Sequence, residues 1–390
     1  MPFTASGRVA PFGTSIFTEM SALAARHGAI NLGQGFPDFP APDFVKDAAI
    51  RHIREDRNQY AASAGVPRLR AAIARRWRER LGRPIDAETE ITVASGATEV
   101  LFDACAGLIN PGDEVVVFEP FYDAYLPDVL MAGGAPRVVR LHPPDWHFDA
   151  GELRAAFTRR TRALILNTPH NPTGKVFTPQ DLDIIAGLCR EHDVMVISDE
   201  VYAEIVYGAA RHVSIASLPG MWERTLTIDS MGKTFSVTGW KVGWAVGPAV
   251  LSQAVRAAHQ FVTFTNSVPF QEALADALDA ADAIGFYPIL RAEYAARREL
   301  LAAALTAAGI PPLPIDGAYF LMADISRTGF SDDVSFCRHL ASEIGVAAIP
   351  PSAFYVRPSM APLLARFCFA KKDETIRAAA GRLEKLLRRR

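Results

Sequence analysis

The sequence predicts an α/β protein with a largely parallel β-sheet and a second, smaller domain. Three observations lead to this fold class. The 390 residues, 49% of them hydrophobic, are enough for two or three domains with a large core. Short apolar segments rich in Val and Ile alternate with helical patterns from about residue 45 to 285. After residue 285 this alternation stops, which indicates a change of domain.

The predicted strands of the large domain are apolar on both faces, as expected for strands that helices cover on both sides. They span residues 91–93, 114–118, 163–166, 194–198, 225–228 and 242–246. Helical patterns between several of them indicate βαβ units, because parallel neighbours need a crossover connection. This order predicts a largely parallel sheet.

The smaller domain is predicted from the C-terminal part of the chain. Residues 286–309 are typical of one long helix that ends at Gly309. Strands are predicted at residues 318–323, 346–349 and 366–370, before a C-terminal helix. We therefore expect an N-terminal arm over 1–40 that contributes to the smaller domain, a large domain over 41–285 and the smaller domain over 286–390.

Composition and charge exclude several classes of protein. The 41 Lys and Arg residues balance 43 Asp and Glu residues, so the net charge of −2 disfavours a polyanion-binding surface and hence nucleic acid. The four cysteines are far apart and form no CxxC pair, which indicates neither a disulfide framework nor a metal site. No signal segment or long apolar segment is present, so we expect a cytoplasmic protein without a membrane partner.

Ligands bind beyond the carboxyl ends of strands in a parallel α/β sheet, so the residues after each predicted strand are candidates for a site. The first strand is followed by the small-residue turn Ser95-Gly96-Ala97-Thr98, whose amides at a helix start could bind phosphate. The later strands are followed by Tyr122 and Tyr125, by Asn171, by Asp199 and Tyr202, and by Ser230 and Lys233.

Each of these residues also has an ordinary structural explanation. Residues 95–98 are then a helix N-cap, Asn171 closes a turn, and Asp199 caps a helix. Lys233 lies in a GKT sequence, but Thr227 stands where a nucleotide-binding loop needs glycine. Together, however, these groups at one edge of the sheet meet the needs of pyridoxal phosphate. That cofactor requires a lysine amine, a carboxylate at its ring nitrogen, an aromatic ring to stack on, donors to its ring oxygen and a phosphate site.

The sequence resembles the class I and II aminotransferases of fold type I, with SMGKTFSVTGWKVGW as the lysine segment. It is most similar to the kynurenine aminotransferase/glutamine transaminase K group and to the bacterial methionine aminotransferases. The resemblance spans about residues 11–385 and lies in the segments NLGQGFPDFPAPDF, NQYA, GDEVVVFEPFYDAY, LILNTPHNPTGKVF, VISDEVY, HVSIASLPGMWERTLTI and RFCFAKK. It implies a mostly parallel seven-stranded sheet in the large domain and a smaller α+β domain.

The resemblance also implies a role for each matching residue. Lys233 would be bonded covalently to pyridoxal phosphate, and Asp199 would lie at the ring nitrogen of the cofactor. Asn171 and Tyr202 would donate to its ring oxygen, and Tyr122 would stack on its ring. The cofactor phosphate would be bound by Ala97, Thr98, Ser230 and Lys241. Arg366 would bind the substrate α-carboxylate, with Gly35 and Asn171 nearby. The residue matching Tyr60 reaches the phosphate of the partner subunit in this family, which implies a homodimer with shared sites.

These roles require particular protonation states. Asp199 has to be ionised to keep the ring nitrogen protonated, and we expect nearby positive charge to hold its pKa low. Lys233 acts as a general base only if burial and neighbouring cations lower its pKa toward the working pH. Lys233, Asp199 and Tyr202 are therefore the expected catalytic residues. Arg366 offers a planar fork that binds a carboxylate through two hydrogen bonds.

The expected substrates are neutral amino acids. The positions that match the side-chain pocket are Phe17 and Tyr125, with the region around His259 and Phe264. An apolar, aromatic pocket favours Met, Gln, Phe, Tyr or kynurenine over Asp or Glu, whose second carboxylate would need a partner of its own. Phe17 stands where kynurenine-type relatives have Trp, although it could equally pack in the core. We expect amino transfer to a 2-oxo acid by ping-pong kinetics.

Two alternative functions use the same residues. A pyridoxal phosphate-dependent β-lyase acting on cysteine S-conjugates would start from the same carbanion, so residue types alone do not separate it from an aminotransferase. A non-catalytic regulator with an aminotransferase-like fold would carry an N-terminal DNA-binding domain. The family-like segments begin within about the first 15 residues and the charge is balanced, so we disfavour the regulator.

Overall fold

The structure is a computed structural model that describes residues 4–389, so the first three residues of the predicted N-terminal arm lie outside it. The strands are β1 (Ile30–Asn31), β2 (Ile91–Ala94), β3 (Glu114–Glu119), β4 (Ala135–Arg140), β5 (Thr161–Asn167), β6 (Met195–Asp199), β7 (Thr225–Ser230), β8 (Gly243–Val246), β9 (Phe320–Asp324), β10 (Val346–Ala347) and β11 (Leu364–Cys368). The α-helices are α1 (Ile16–His27), α2 (Asp43–Arg54), α3 (Pro67–Leu81), α4 (Ala97–Leu108), α5 (Tyr125–Met131), α6 (Ala150–Ala156), α7 (Pro179–Glu191), α8 (Met231–Thr234), α9 (Ala249–Val262), α10 (Val268–Ala281), α11 (Phe286–Ala307), α12 (Asp333–His339) and α13 (Asp373–Leu383). Within the described residues, no helix combines the length and the apolar character needed to cross a membrane.

Seven strands form one sheet in the order β2-β8-β7-β6-β5-β3-β4. Neighbours are parallel except at β8, which is antiparallel to both β2 and β7. The six strands predicted for the large domain are all present in this sheet, which confirms the largely parallel α/β fold. The prediction missed the edge strand β4, because its exposed and partly buried side chains alternate instead of forming an apolar segment.

Helix α3 shows how the local sequence sets the ends and the buried face of an element. Pro67 occupies its first turn, where a missing N–H costs nothing, and Gly82 ends it in the left-handed conformation at φ 66°. Leu69, Ile73 and Trp77 recur every fourth residue and are buried. The helix therefore packs one apolar face against the large core.

The register of the central strands brings their polar ends to one edge of the sheet. Asn167 at the end of β5 pairs with Asp199 at the end of β6, and Asp199 pairs with Ile228 of β7. Ser230 at the end of β7 pairs with Gly243, the first residue of β8. The carboxyl ends of β5, β6 and β7 therefore meet at the edge where the sequence predicts a site.

A second core is built from the two ends of the chain. Strand β1 pairs with β10, and β9 pairs with β11. The hydrophobic side chains around them include residues of α1, α11 and α13. Tyr202 and Tyr319, which lie outside these helices, belong to the same core. Strand β11 begins two residues earlier than predicted, because Leu364 and Ala365 already pair with β9. The domain limits given above remain predictions.

Candidate active site

A cavity of about 300 Å³ lies at the carboxyl edge of β5, β6 and β7. Side chains of β9 and β11 from the second core also line it, so both cores contribute walls. All predicted site residues except Tyr60 line this cavity: Phe17, Gly35, Ala97, Thr98, Tyr122, Tyr125, Asn171, Asp199, Tyr202, Ser230, Lys233, Lys241 and Arg366.

Lys233 lies in α8, one helical turn directly after β7. Its Nζ donates to the carbonyl oxygen of Gly35 at 3.4 Å and lies 5.6 Å from the centre of the Tyr202 ring. Burial, together with the charges of Lys241 and Arg366, lowers the pKa of Lys233 to about 8, although Cys368 and Asp199 act in the opposite direction. The amine is therefore partly unprotonated near neutral pH, as a nucleophile or general base requires.

Asp199 ends β6 in a buried position. Its Oδ2 accepts a 2.7 Å hydrogen bond from the Tyr125 hydroxyl, and its Oδ1 accepts from the amide of Val201 at 3.3 Å. Burial raises the pKa of Asp199 to about 6, although both hydrogen bonds and the charge of Lys233 lower it. The expectation of a low pKa is therefore wrong for the protein alone, because desolvation outweighs the nearby positive charge. A cationic partner such as a protonated ring nitrogen would stabilise the ionised form.

Tyr125 lies at the start of α5 with its hydroxyl directed at Asp199. We expected Tyr125 in the pocket for the substrate side chain. Burial raises the pKa of Tyr125 well above its ordinary value, so the hydroxyl keeps its proton and donates a hydrogen bond to the carboxylate. The polar end of this residue is therefore engaged with Asp199 rather than with a substrate side chain.

Asn171 is held by two polar contacts. Its backbone N–H donates to Oδ1 of Asn167 at 2.7 Å, and its own Oδ1 accepts from Nη1 of Arg366 at 2.9 Å. Asn167 also donates from Nδ2 to the carbonyl oxygen of Asp199 at 2.9 Å. Because Oδ1 of Asn171 faces Arg366, its NH₂ group is the part that can donate to a cofactor ring oxygen.

Arg366 lies in β11 and is only 1% exposed. Its Nη2 donates to the carbonyl oxygen of Gly33 at 2.9 Å. The guanidinium carbon lies 5.0, 4.2 and 5.2 Å from the rings of Phe17, Phe320 and Phe354. Nε has no hydrogen-bond partner among the described residues. A buried guanidinium with an unused donor is suited to bind a carboxylate.

The first turn of α4 presents backbone amides to the cavity. Ala97 and Thr98 are the first two residues of this helix, so their N–H groups have no partner within it. Gly96 precedes them at φ 82°, and a Cβ on Gly96 would lie 3.2 Å from Nζ of Lys241. The amine of Lys241 therefore lies beside the two amides, and together they form an anion-binding arrangement.

Two neighbouring strands complete this arrangement. Ser230 ends β7 and lines the cavity directly before α8. Gly243 begins β8, and a Cβ there would lie 2.6 Å from the backbone nitrogen of Ala97, so glycine allows the close approach. We call residues 95–98 together with Ser230 and Lys241 the phosphate cradle.

The phenol side chains of Tyr122 and Tyr202 line the cavity together with Asp199 and Lys233. The ring of Tyr122 lies 5.6 Å from that of Tyr125, and burial raises the pKa of Tyr122 to about 12. Burial likewise raises the pKa of Tyr202 well above its ordinary value. Both hydroxyls therefore keep their protons at neutral pH and are donors.

Tyr60 is the one predicted site residue that lies elsewhere. Its side chain is 84% exposed, and its ring packs 5.6 Å from that of Phe264. The resemblance to the aminotransferases implies that Tyr60 reaches the phosphate in a second subunit. That role remains a prediction.

Several residues of the cavity wall were not predicted from the sequence. Asn167 is one, although its position at the end of a predicted strand was a usable signal. Gln34 is another, and nothing in its spacing marked it. Its Nε2 donates to the carbonyl oxygen of Phe17 at 3.3 Å and to Oγ of Ser21 at 2.7 Å, so it fixes Phe17 at the cavity.

The residues of this site fit pyridoxal phosphate in three independent ways. Lys233 is an amine whose pKa burial lowers to about 8. Asp199 is a buried carboxylate whose pKa burial raises to about 6, so it gains from a cation. The phosphate cradle supplies amides and an amine for a phosphate group.

Comparisons with known proteins agree with this fit. The family described as aminotransferase class I and II matches residues 27–383. The methionine aminotransferase of Escherichia coli (strain K12) is 43% identical over 385 residues, which cover 99% of each chain. Kynurenine–oxoglutarate transaminase 1 of Homo sapiens is 40% identical over 400 residues, which cover 95% of each chain. The solved structure of N-succinyldiaminopimelate aminotransferase from Mycobacterium tuberculosis is 46% identical, with a TM-score of 0.95 over 98% of this chain and 100% of that one.

These matches extend over almost the whole chain and include proteins of bacteria and of animals. Their common fold carries pyridoxal phosphate, for which the cavity has the required amine, carboxylate and phosphate cradle. The chain therefore belongs to the class I and II aminotransferases and is a pyridoxal phosphate-dependent enzyme.

Proposed function

We propose that the protein transfers the amino group of neutral amino acids to a 2-oxo acid by a ping-pong mechanism. The proposed donors carry sulfur-containing, amide or aromatic side chains: Met, Gln, Phe, Tyr and kynurenine. Relatives named for methionine and for kynurenine, at 43% and 40% identity, support this choice. Because the relatives are named as aminotransferases, amino transfer is favoured over the β-lyase alternative.

The observation that carries the proposal is the distribution of positive charge in the cavity. Among the described residues that line it, the cationic side chains are Lys233, Lys241 and Arg366. Each has a proposed partner: Lys233 bonds to the cofactor, Lys241 binds its phosphate and Arg366 binds the substrate α-carboxylate. No lining cation is left for a carboxylate on the substrate side chain, and burying such a group without a partner is costly.

The protein's own groups have the following roles in the proposed reaction. When bound, pyridoxal phosphate supplies a ring that accepts the electron pair released as the substrate Cα loses its proton. Nζ of Lys233, once the substrate amine has replaced it on the cofactor, would remove that proton, because burial keeps the pKa of Lys233 near 8. Asp199 would hold the ring nitrogen in its protonated form, and Tyr202 and Asn171 would donate to the ring oxygen. Arg366 orients the substrate through its α-carboxylate.

N-succinyldiaminopimelate is a second candidate donor. The relative named for it is 46% identical to this chain, a higher value than for the methionine enzyme. This donor carries further carboxylates far from its reacting amine. It would need cations beyond the three in the described cavity wall, which a second subunit would have to supply.

The test is the first half-reaction, followed by the visible absorption of the purified holoenzyme without any acceptor. We expect L-methionine to bleach the resting band at least tenfold more efficiently than N-succinyldiaminopimelate. More efficient bleaching by N-succinyldiaminopimelate than by L-methionine would show that N-succinyldiaminopimelate is the preferred donor. Lys233→Ala is the matched control and should give no bleaching with either donor. Pyruvate and ammonia released from a cysteine S-conjugate would instead indicate the lyase.

We also propose a homodimer with shared sites. Tyr60 and Phe261 are 84% and 86% exposed, and Phe264 packs on Tyr60 at the same surface. Exposed aromatic groups of this kind favour an interface between proteins. Light scattering should give twice the 42.4 kDa mass of the chain. A monomer that retains full activity on dilution would contradict the shared sites.

We propose a cytoplasmic location on the basis of thiol use. The cysteines are free and buried: Cys105, Cys189, Cys337 and Cys368. Free thiols are typical of proteins in reducing compartments. Fractionation of the source cells should recover the activity in the cytosolic fraction, and activity in an extracellular fraction would contradict this.

A further inference from the structure

A short segment outside the cavity is hydrogen-bonded to the phosphate cradle and to residues that flank it. We call residues 259–266, which run from the last turn of α9 toward the start of α10, the strap. Asn266 of the strap donates directly to the backbone of Lys241, and also to Ala94, which precedes the turn at residues 95–98. His259 of the strap is hydrogen-bonded to Glu99, which follows that turn.

The first anchor of the strap is Glu99, in the first turn of α4. One carboxylate oxygen of Glu99 accepts from Nδ1 of His259 at 2.9 Å and from the hydroxyl of Thr263 at 2.7 Å. The other oxygen accepts from the backbone N–H of Ser95. Glu99 therefore links the strap to the backbone of the turn whose next residues offer amides to phosphate.

The second anchor is the side-chain amide of Asn266. Its Nδ2 donates to the carbonyl oxygen of Ala94 at 2.8 Å and to that of Lys241 at 3.2 Å. Its Oδ1 accepts from Nε2 of Gln271, which fixes the orientation of the amide. One side chain thus joins the end of β2 to the backbone of Lys241, which adopts φ 54°.

The charge of Glu99 is also controlled by the strap. Burial alone would raise the pKa of Glu99, but hydrogen bonds from His259, Thr263 and the Ser95 amide lower it below its usual range. The donors on the strap therefore stabilise the ionised form of the one acidic side chain in the first turn of α4. In that form Glu99 accepts hydrogen bonds from the strap and from the Ser95 amide together.

A metal ion does not explain this cluster as well. Glu99, Asp103 and His259 have ligand atoms within 4.8 Å of one another. However, Nδ1 of His259 and the hydroxyl of Thr263 already donate to the same oxygen of Glu99. These groups form a hydrogen-bonded brace between α4 and α9, which the Ser95 contact extends into the cradle.

We infer that Glu99, His259, Thr263 and Asn266 are positioning residues for the cofactor phosphate. They hold the amides of Ala97 and Thr98 and the amine of Lys241 in one arrangement before the cofactor binds. Preorganised donors of this kind increase affinity because less order is lost on binding. The inference rests on the proposed assignment of the phosphate to the cradle. It predicts weaker binding at the phosphate end, with no change in substrate binding at Arg366.

The test measures the two ends of the site separately. Pyridoxal phosphate is titrated into full-length apoprotein, and inorganic phosphate is used as a competitor that occupies the cradle alone. We expect Asn266→Ala to raise both dissociation constants about tenfold, because two backbone carbonyls lose their donor. Thr263→Val keeps the side-chain shape and should raise both about two- to fivefold. The KM of the loaded enzyme for its fastest amino donor should stay within twofold in both variants.

The control is Gln253→Ala, because Gln253 is exposed on α9 outside the strap. It should leave both dissociation constants within twofold of the unmodified protein. Unchanged constants in Asn266→Ala and Thr263→Val would overturn the inference. It would also be overturned by a loss of phosphate affinity that is matched by an equal rise in KM and a lower unfolding temperature of the apoprotein.

Lys241→Ala separates this inference from the proposed function. If Lys241→Ala leaves both dissociation constants unchanged, the assignment of phosphate to the cradle is wrong. If it raises them while Asn266→Ala does not, the cradle is correct and only the role of the strap is wrong.

Discussion

The hydroxyl of Tyr125 lies 2.7 Å from Oδ2 of Asp199, and both residues are buried. This hydrogen bond lowers the pKa of Asp199, which burial raises to about 6. Tyr125 therefore supports the ionised form of the carboxylate that we propose to face the cofactor ring nitrogen. We propose that the Tyr125 hydroxyl acts on the reaction through Asp199.

Tyr125→Phe should lower kcat about tenfold and leave the donor KM nearly unchanged, because one hydrogen bond to a charged group is lost. Without this donor the pKa of Asp199 should rise, because the Tyr125 hydrogen bond lowers it. Activity requires the ionised carboxylate, so the acid limb of the kcat profile should move to higher pH. A kcat profile over pH 5–9 with the same acid limb as the unmodified enzyme would show that Tyr125 only packs.

The pKa of Lys233 sets a pH dependence for cofactor loading. Only the unprotonated amine attacks the aldehyde, and burial lowers its pKa to about 8. The rate of reconstitution of apoprotein should therefore rise with pH and level off above about 8, well below the 10.5 of an ordinary lysine. A stopped-flow series from pH 6 to 10 measures this, and a midpoint near 10 would contradict the burial of this amine.

Arg366→Lys should raise the KM for every amino donor about 100-fold with a smaller effect on cofactor affinity. Lysine keeps the charge but offers no planar fork, so it loses the paired geometry toward a carboxylate. It also leaves Oδ1 of Asn171 without its 2.9 Å donor. Steady-state kinetics with several donors measure the effect. A loss confined to one donor would instead place Arg366 at a side-chain subsite.

Gly243→Ala should weaken pyridoxal phosphate binding more than tenfold. The new Cβ would lie 2.6 Å from the nitrogen of Ala97 and 2.7 Å from the carbonyl carbon of Gly96, so the cradle turn would have to move. Gly239→Ala is the matched control, since a Cβ there meets nothing within 4 Å. Titration of both apoproteins with cofactor gives the comparison. Equal affinities would show that the turn tolerates displacement.

The fold could be predicted where strands are apolar on both faces. Strands β3, β5, β6 and β7 gave continuous apolar segments because helices cover both sides of the sheet. Strand β4 has one neighbour and partly exposed side chains, so its pattern did not stand out. Strand β1, which pairs with the strand predicted at residues 346–349, has only two residues and is too short to give any periodicity.

The site could be predicted where a residue's type and its place after a strand were both informative. Lys233 and Asp199 satisfied both conditions and line the cavity. The direction of the Tyr125 hydroxyl and the pKa of Asp199 depend on burial by distant segments, which a sequence does not display. Asn266 carried no chemical signal at all, because its function depends on two carbonyl groups far away in the chain.

The hydrogen bond between Arg366 and the carbonyl of Gly33 joins positions 333 residues apart. The arm with Gly33 is synthesised before the strands of the seven-stranded sheet and Lys233, which are complete by Val246, and its partner strand β10 and Arg366 follow about a hundred residues later. If Lys233 holds the cofactor and Arg366 binds the amino acid, as proposed above, the elements that hold the cofactor are synthesised well before those that select a substrate. Recognition of a substrate would then wait until Arg366 has met the arm with Gly33.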